Sequence, residues 1–196
     1  MKPRPLDLPD DRVWLRVADP DWADPLRASY AGRVGGRWNP PSSFRTLYLS
    51  ADLETAQLQL DKMLRDSPVR VEDLDGDAYV LVAATLPRNQ TCADALGDPG
   101  LEALGLPPTY PLDDHGHDVT HATCRSIGHA VHHGGLRGVA CRSACTADGR
   151  GTELAWFPAT SRSHAHAVWN APLALGAWRD ASTCADLGLS EQGTLR

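Results

Sequence analysis

Arg12, Arg16, Arg27, Arg33, Arg37 and Arg45 are among the arginines that fall in the first quarter of a 196-residue chain whose formal net charge is −6. A guanidinium is permanently charged and forked, so a local cluster in an otherwise acidic protein suits one anionic small molecule. Taken singly, most arginines are solvated surface charges, and their surroundings decide the matter. Arg37 and Trp38 stand in a run rich in Gly and Pro, GRVGGRWNPPSSF from Gly32 to Phe44. Permissive backbone there would let a guanidinium approach a phosphate while an indole shields it; the plainer alternative is a surface turn. The run contains neither GxxxxGKS/T nor a GxGxxG that opens a helix, which excludes the two common phosphate loops.

Ser143 ends an expected strand beside a polar loop containing glycine, where a hydroxyl can project into a cleft or bond its own backbone. Six of the eight histidines lie between His115 and His133, and His117, His121 and Cys124 would share one helix face. That spacing can converge on zinc, but HExxH and paired CxxC motifs are absent and no metal is expected. His129, His132 and His133 equally suit the last turn of a helix, where they complement its dipole. A GxSxG elbow and a protease-like cysteine are also missing, so nucleophilic hydrolase chemistry has no support.

The elements that must position these groups follow from periodicity. Residues up to Asp11 are polar and Pro-rich and read as an arm covering residues 1–12, ahead of one domain over 13–196 with its core at 13–169. VWLRV at Val13–Val17 alternates as a strand and carries Arg16; the Gly32–Phe44 run cannot be a regular helix; TLYLS at Thr46–Ser50 is a second strand. A helix is predicted from about Leu53 to Arg65, with Asp52 as N-cap and Ala56, Leu60, Met63 and Leu64 as its apolar stripe. Ala78–Thr85 is a continuous apolar strand of the buried kind. The many Gly and Pro residues between Cys92 and Asp118 predict loops with one helical turn near Leu101–Leu104. A helix over Val119–His133, strands over Gly138–Ser143 and Thr152–Phe157, and a last strand at His166–Trp169 complete the pattern. Such an order predicts an α+β fold, a mixed sheet flanked by helices.

Composition narrows the function classes. Hydrophobic residues at 42% and charged residues at 22% are those of an ordinary globular domain. The negative charge argues against direct nucleic-acid binding, which relies on Lys and Arg neutralising phosphates. No apolar stretch is long enough for a bilayer and the N-terminus lacks a signal-peptide core, so the expected location is cytoplasmic, without membrane association. Five cysteines in such a chain are expected to stay reduced.

Read in order, LRV at Leu15–Val17, GGRWNPPSSFRTLYLS at Gly35–Ser50, ETA at Glu54–Ala56 and CRSA at Cys141–Ala144 resemble the RES domain family. The resemblance covers roughly Val13 to Trp169 and implies a fold similar to ADP-ribosyltransferases, with a mixed sheet around a cleft that holds NAD. Known members are often toxins of toxin–antitoxin pairs that destroy NAD by phosphorolysis or hydrolysis of its nicotinamide bond; some ADP-ribosylate a protein instead. Their antitoxin is typically a helix-turn-helix protein that plugs the cleft. Inorganic phosphate as a second substrate and a homodimer are left open.

Carried over residue by residue, the resemblance places the early family Arg on Arg16 and the GGRW Arg on Arg37, both toward the pyrophosphate. It places the family Tyr on Tyr48, against the nicotinamide ribose, and the family Ser on Ser143. Where the family has Glu in the following helix, this chain has Gln59. A carboxylate there would stabilise the developing oxocarbenium ion, and Gln can only hydrogen-bond. Two carboxylates stand near in sequence. Glu54 is five residues from Gln59, about 140° around the helix, and reads as a first-turn charge. Glu153, inside the apolar strand TELAWF, is the better substitute and needs a partner if it points inward. The expected activity is therefore NAD glycosidic cleavage involving Arg16, Gln59, Ser143 and Glu153; the alternatives are a degenerate nucleotide-binding module and a protein ADP-ribosyltransferase.

Overall fold

The computed structural model describes residues 2–190; the end of the expected domain, residues 191–196, lies outside the described residues. Its strands are β1 Pro5–Asp7, β2 Trp14–Ala18, β3 Leu47–Ser50, β4 Val80–Thr85, β5 Thr91–Ala95, β6 Gly138–Arg142, β7 Thr152–Trp156, β8 His166–Ala167 and β9 Leu173–Ala174. The helices are α1 Ser29–Val34, α2 Leu53–Leu64, α3 Asp98–Leu104, α4 His121–His133 and α5 Leu175–Trp178. All strands join one sheet in the order β1-β5-β6-β7-β3-β2-β4-β8, with β9 also on β4. Among the described residues only β5 and β6 run parallel, joined through α3 and α4, so the sheet is mixed as the sequence predicts.

Alternation of side chains divides the core. On one face Trp14, Leu47, Leu49, Val82, Ala84, Ala140, Leu154 and Trp156 pack together. The other face carries two separate cores. Val139, Cys141 and Ala155 meet Leu101, Leu104, Ile127 and Val131 of α3 and α4. Leu15, Val17, Leu81 and Ala83 meet Leu53, Ala56 and Leu60 of α2 and Leu175 and Trp178 of α5. Strands β2 and β3 share one register pair, Leu15 with Ser50, whereas β2 and β4 share five. Beyond that pair β2 and β3 splay apart, and the sheet opens between its two halves.

Several expectations need correction. The Gly32–Phe44 run does begin in a helix, because α1 extends through Gly32, Arg33 and Val34. It stops at Gly35, whose φ of 81° suits a residue without a Cβ. The Cys92–Asp118 stretch is mainly loop, as expected, but holds more regular structure than one helical turn. It holds β5, whose small residues TCADA give weak strand signals yet are mostly buried, and α3, which starts at Asp98 with proline in its first turn. The opening arm contributes the edge strand β1, paired with β5. The second long helix starts at His121, not Val119, with the Thr120 hydroxyl accepting the Thr123 amide at 3.2 Å. Asp52 caps α2 as predicted, its carboxylate accepting the Thr55 amide at 2.7 Å.

Helix α4 lies directly on the loop after α1. A Cβ added at Gly128 would overlap the carbonyl oxygen of Trp38, a backbone atom that cannot swing away. Gly-to-Ala in a helix interior normally stabilises by about 1 kcal/mol. Here Gly128→Ala is expected to lower stability by roughly 1–3 kcal/mol through overpacking, checked by urea unfolding; a stabilised variant would show that α4 does not seat on this loop.

Candidate active site

The cleft between the sheet halves has a volume near 330 Å³ and takes its walls from β2, β3, β7, α2, the loop after α1 and the start of α4. Arg16, Arg37, Tyr48, Gln59 and Glu153, all singled out from the sequence, line it together. Trp38 and Ser143 do not.

The loop carrying Arg37 is fixed from below by Tyr48. The Tyr48 hydroxyl accepts the Trp38 amide at 2.8 Å and donates to Asn39 Oδ1 at 2.8 Å. Asn39 is fully buried and donates to the Ala31 carbonyl at 2.7 Å. A Cβ at Gly36 would overlap the Tyr48 phenol, so the loop crosses that ring at the closest possible approach. From above, Arg125 Nε of α4 donates to the Gly36 carbonyl at 2.9 Å. Burial pushes the Tyr48 phenol well above its ordinary range. Its hydroxyl is thus a structural anchor, and only the ring is available to a ligand. Trp38 turns away into the core against Tyr110, 1% exposed, so it cannot shield a phosphate in the cleft. Arg37 is held by Tyr110 Oη at 3.1 Å from Nε and by the Val119 carbonyl at 3.1 Å from Nη2.

Arg16 reaches the cleft through the split in the sheet. Its guanidinium lies over Trp22 at 5.3 Å from the ring centre, and its Nη1 is buried with no hydrogen-bond partner. Burial lowers its pKa to about 10, opposed by Asp24, so the group stays charged at neutral pH. A buried cation with an idle donor, facing a cavity, is a strong anion acceptor.

Opposite Arg16, the loop between β6 and β7 folds back onto α2. Lys62 Nζ donates to the Ala144 carbonyl at 2.6 Å, Arg65 Nη2 to the Cys145 carbonyl at 3.1 Å, and a Cβ at Gly151 would overlap the Thr55 side chain. Ser143 is completely buried: its Oγ donates to Glu153 Oε1 at 2.6 Å and accepts the Cys145 amide at 3.1 Å. It therefore aims the carboxylate and does not itself touch the cavity. Cys145 Sγ lies 3.3 Å from both Gln59 Oε1 and Glu153 Oε1. Burial first, and the Glu153 charge second, push this thiol up to about 12, so it keeps its proton and donates. Glu54 sits apart, in an exposed pair with Arg150 at 3.4 Å.

Sequence reasoning missed Asn39, Lys62 and Cys145 as site residues, and noticed His121 only as a zinc ligand. His117 lies in the loop before α4 near Asp113, off the helix face that His121 shares with Cys124, and Cys124 is buried in the core. Among the described residues no group of three or more His, Cys, Asp and Glu is arranged to hold a metal ion, and the cysteines are free thiols. The cleft thus combines cations with a carboxylate and an amide that meet at the Cys145 thiol, an arrangement that can hold an anion and stabilise a reacting carbon that becomes positive.

The RES domain family matches residues 13–175. Proteins named NAD(+) phosphorylase MbcT from Mycobacterium tuberculosis (strain ATCC 25618 / H37Rv) and Mycobacterium bovis (strain ATCC BAA-935 / AF2122/97) are 28% identical over 108 residues, 55% of this chain and 55% of theirs. The chain thus matches about half the length of these relatives. The crystal structure of the M. tuberculosis MbcT-MbcA toxin-antitoxin complex superposes with a TM-score of 0.69 at 20% identity, covering 90% of both chains, which shows a common fold. With the family matched across most of its length, this chain belongs to the RES domain family.

Proposed function

We propose that this protein cleaves the N-glycosidic bond between nicotinamide and ribose in NAD. The observation that carries the proposal is the Glu153 carboxylate, set at the cleft by the buried Ser143 hydroxyl and placed across from the charged, partly unbonded Arg16. Arg16 and Arg37 bind the pyrophosphate, and the Tyr48 ring packs against the nicotinamide ribose. Glu153 stabilises positive charge as it develops on the anomeric carbon, and Gln59, linked to it through Cys145, hydrogen-bonds the ribose hydroxyls. Nicotinamide leaves with the bonding electron pair and is neutral, so its departure needs no proton. The name of the partial relatives, NAD(+) phosphorylase, supports this reading.

One observation favours a second reading. Gln59 on α2 cannot supply charge where the resemblance leads one to expect a carboxylate, and a cleft without turnover would be a nucleotide-binding module. The Glu153 carboxylate beside Gln59 supports the first reading. Protein ADP-ribosylation uses the same cleft and would leave ADP-ribose on a macromolecule. The wider reading is a toxin acting on cytoplasmic NAD and restrained by a partner protein that covers the cleft, as supported by the fold shared with a chain of a toxin–antitoxin complex. No helix among the described residues is long and apolar enough to cross a membrane.

Nicotinamide release from NAD tests the roles. Glu153→Gln keeps the shape and should lower kcat by about two to three orders of magnitude with a far smaller change in KM for NAD. Unchanged kcat would remove Glu153 from the chemistry. Ser143→Ala, which leaves the carboxylate unaimed, should cost roughly tenfold or more in kcat, in the manner of outer-shell groups that orient a functional ligand. Tyr48→Phe strips two hydrogen bonds from the loop and should lower unfolding stability by about 1–3 kcal/mol in thermal or urea melts. Full stability would show that the loop does not depend on the phenol.

A further inference from the structure

Trp22 and Tyr30 line the cleft and belong to none of the three hydrophobic cores. Trp22 sits between β2 and α1, where its amide closes a turn on the Asp19 carbonyl at 3.2 Å, and Tyr30 lies in the first turn of α1. Their ring centres are 5.2 Å apart at a tilt of 37°, and Tyr30 remains 46% exposed. A paired aromatic surface left open beside a cavity is a seat for a flat ligand ring. Position along the cleft says which ring. Glu153 on β7 pairs with Ser50 on β3, and Ser50 with Leu15 on β2, the neighbour of Arg16. Arg16 in turn lies over Trp22 at 5.3 Å. A dinucleotide with its reacting ribose at Glu153 and its pyrophosphate at Arg16 therefore carries its second base onto Trp22 and Tyr30. Charge gives the same order. Arg16 flanks Trp22 and Arg33 lies over Tyr30 at 5.8 Å, and these guanidiniums repel the cationic pyridinium of NAD but not neutral adenine.

We propose that Trp22 and Tyr30 form a stacking platform for the adenine base, which selects dinucleotides over nicotinamide mononucleotide while reading little of the base's edge. The proposal rests on the NAD-cleaving reading above. Among the described residues lining the cleft, Val17, Ala31 and Gly35 complete this end, and their side chains carry no hydrogen-bonding group. Recognition by stacking tolerates a change of base, because every base offers a π face.

The test compares wild type, Tyr30→Ala and Tyr30→Phe in ADP-ribose binding by calorimetry and in cleavage of NAD, its hypoxanthine analogue and nicotinamide mononucleotide. Tyr30→Ala should weaken ADP-ribose binding and raise KM for NAD by about tenfold or more, the loss of one stacking partner. Tyr30→Phe, which keeps the ring, should match wild type. The hypoxanthine analogue should be cleaved with a KM near that of NAD. Nicotinamide mononucleotide should be a far poorer substrate of wild type, and equally poor for Tyr30→Ala. Unchanged ADP-ribose affinity in Tyr30→Ala would overturn the platform. So would a loss confined to the mononucleotide, which would put the rings at the reacting end, and rejection of the hypoxanthine analogue would overturn recognition by stacking alone. A second measurement needs no truncated ring: ADP-ribose should quench tryptophan emission in wild type and not in Trp22→Phe, and equal quenching in both contradicts the proposal. Should wild type fail to cleave NAD, the activity reading fails by itself. ADP-ribose binding that is lost in Tyr30→Ala then still upholds the platform, and no binding to wild type overturns it.

Discussion

A carboxylate on a central strand is tolerated only when neighbouring groups answer it, and in this fold that answer is the 2.6 Å hydrogen bond from Ser143 to Glu153. Ser143 can supply it because its hydroxyl is wholly buried and itself accepts the Cys145 amide, which leaves its proton for the carboxylate. The loop that brings Ser143 there is fastened to α2 through Lys62, Arg65 and Thr55. Helix α2 is in turn positioned by the Asp52 cap and by Leu53, Ala56 and Leu60 against β2 and β4. The carboxylate, the amide of Gln59 and the thiol of Cys145 thus form one unit whose geometry depends on packing at some distance.

The two arginines named from sequence are held in different ways, and the difference has a chemical meaning. Arg37 is already bonded to Tyr110 and the Val119 carbonyl and stands as a fixed charge at the cleft wall. Arg16 keeps a buried donor, Nη1, unmatched above Trp22 and near Asp24, so that donor is open to a partner from outside the chain. The opening that admits this partner exists because β2 and β3 pair at a single position. A fully zipped sheet would have sealed Arg16 away from Tyr48 and Glu153.

What was legible in the sequence follows this division. Strand β4 and helix α2 were read almost to the residue because one is apolar throughout and the other carries both a cap and a stripe. Strand β5 was hidden, since Thr, Cys, Ala and Asp carry little strand preference and only burial makes them one. Arg16, Arg37, Tyr48, Gln59 and Glu153 could be picked out because each sits in a distinctive local context, and the structure brings them to one cleft. Trp38 was misjudged because the direction of an indole in a glycine loop is decided by Gly128, 90 residues later in the chain, which lets α4 press down on that loop. Lys62 and Cys145 gave no signal for a similar reason: their contacts join α2 to a loop some eighty residues away.

The central claim is that a RES domain lacking the expected helix carboxylate still breaks the nicotinamide bond because Glu153 supplies the charge from the neighbouring strand. The most direct measurement is chromatography of NAD incubated with the purified wild-type chain in phosphate buffer, following nicotinamide and the ribosyl product. The account predicts catalytic turnover, with nicotinamide and an ADP-ribose product appearing together in many-fold excess over protein. NAD that binds, by calorimetry or fluorescence, yet is recovered intact after long incubation would contradict the account and leave the cleft a binding site.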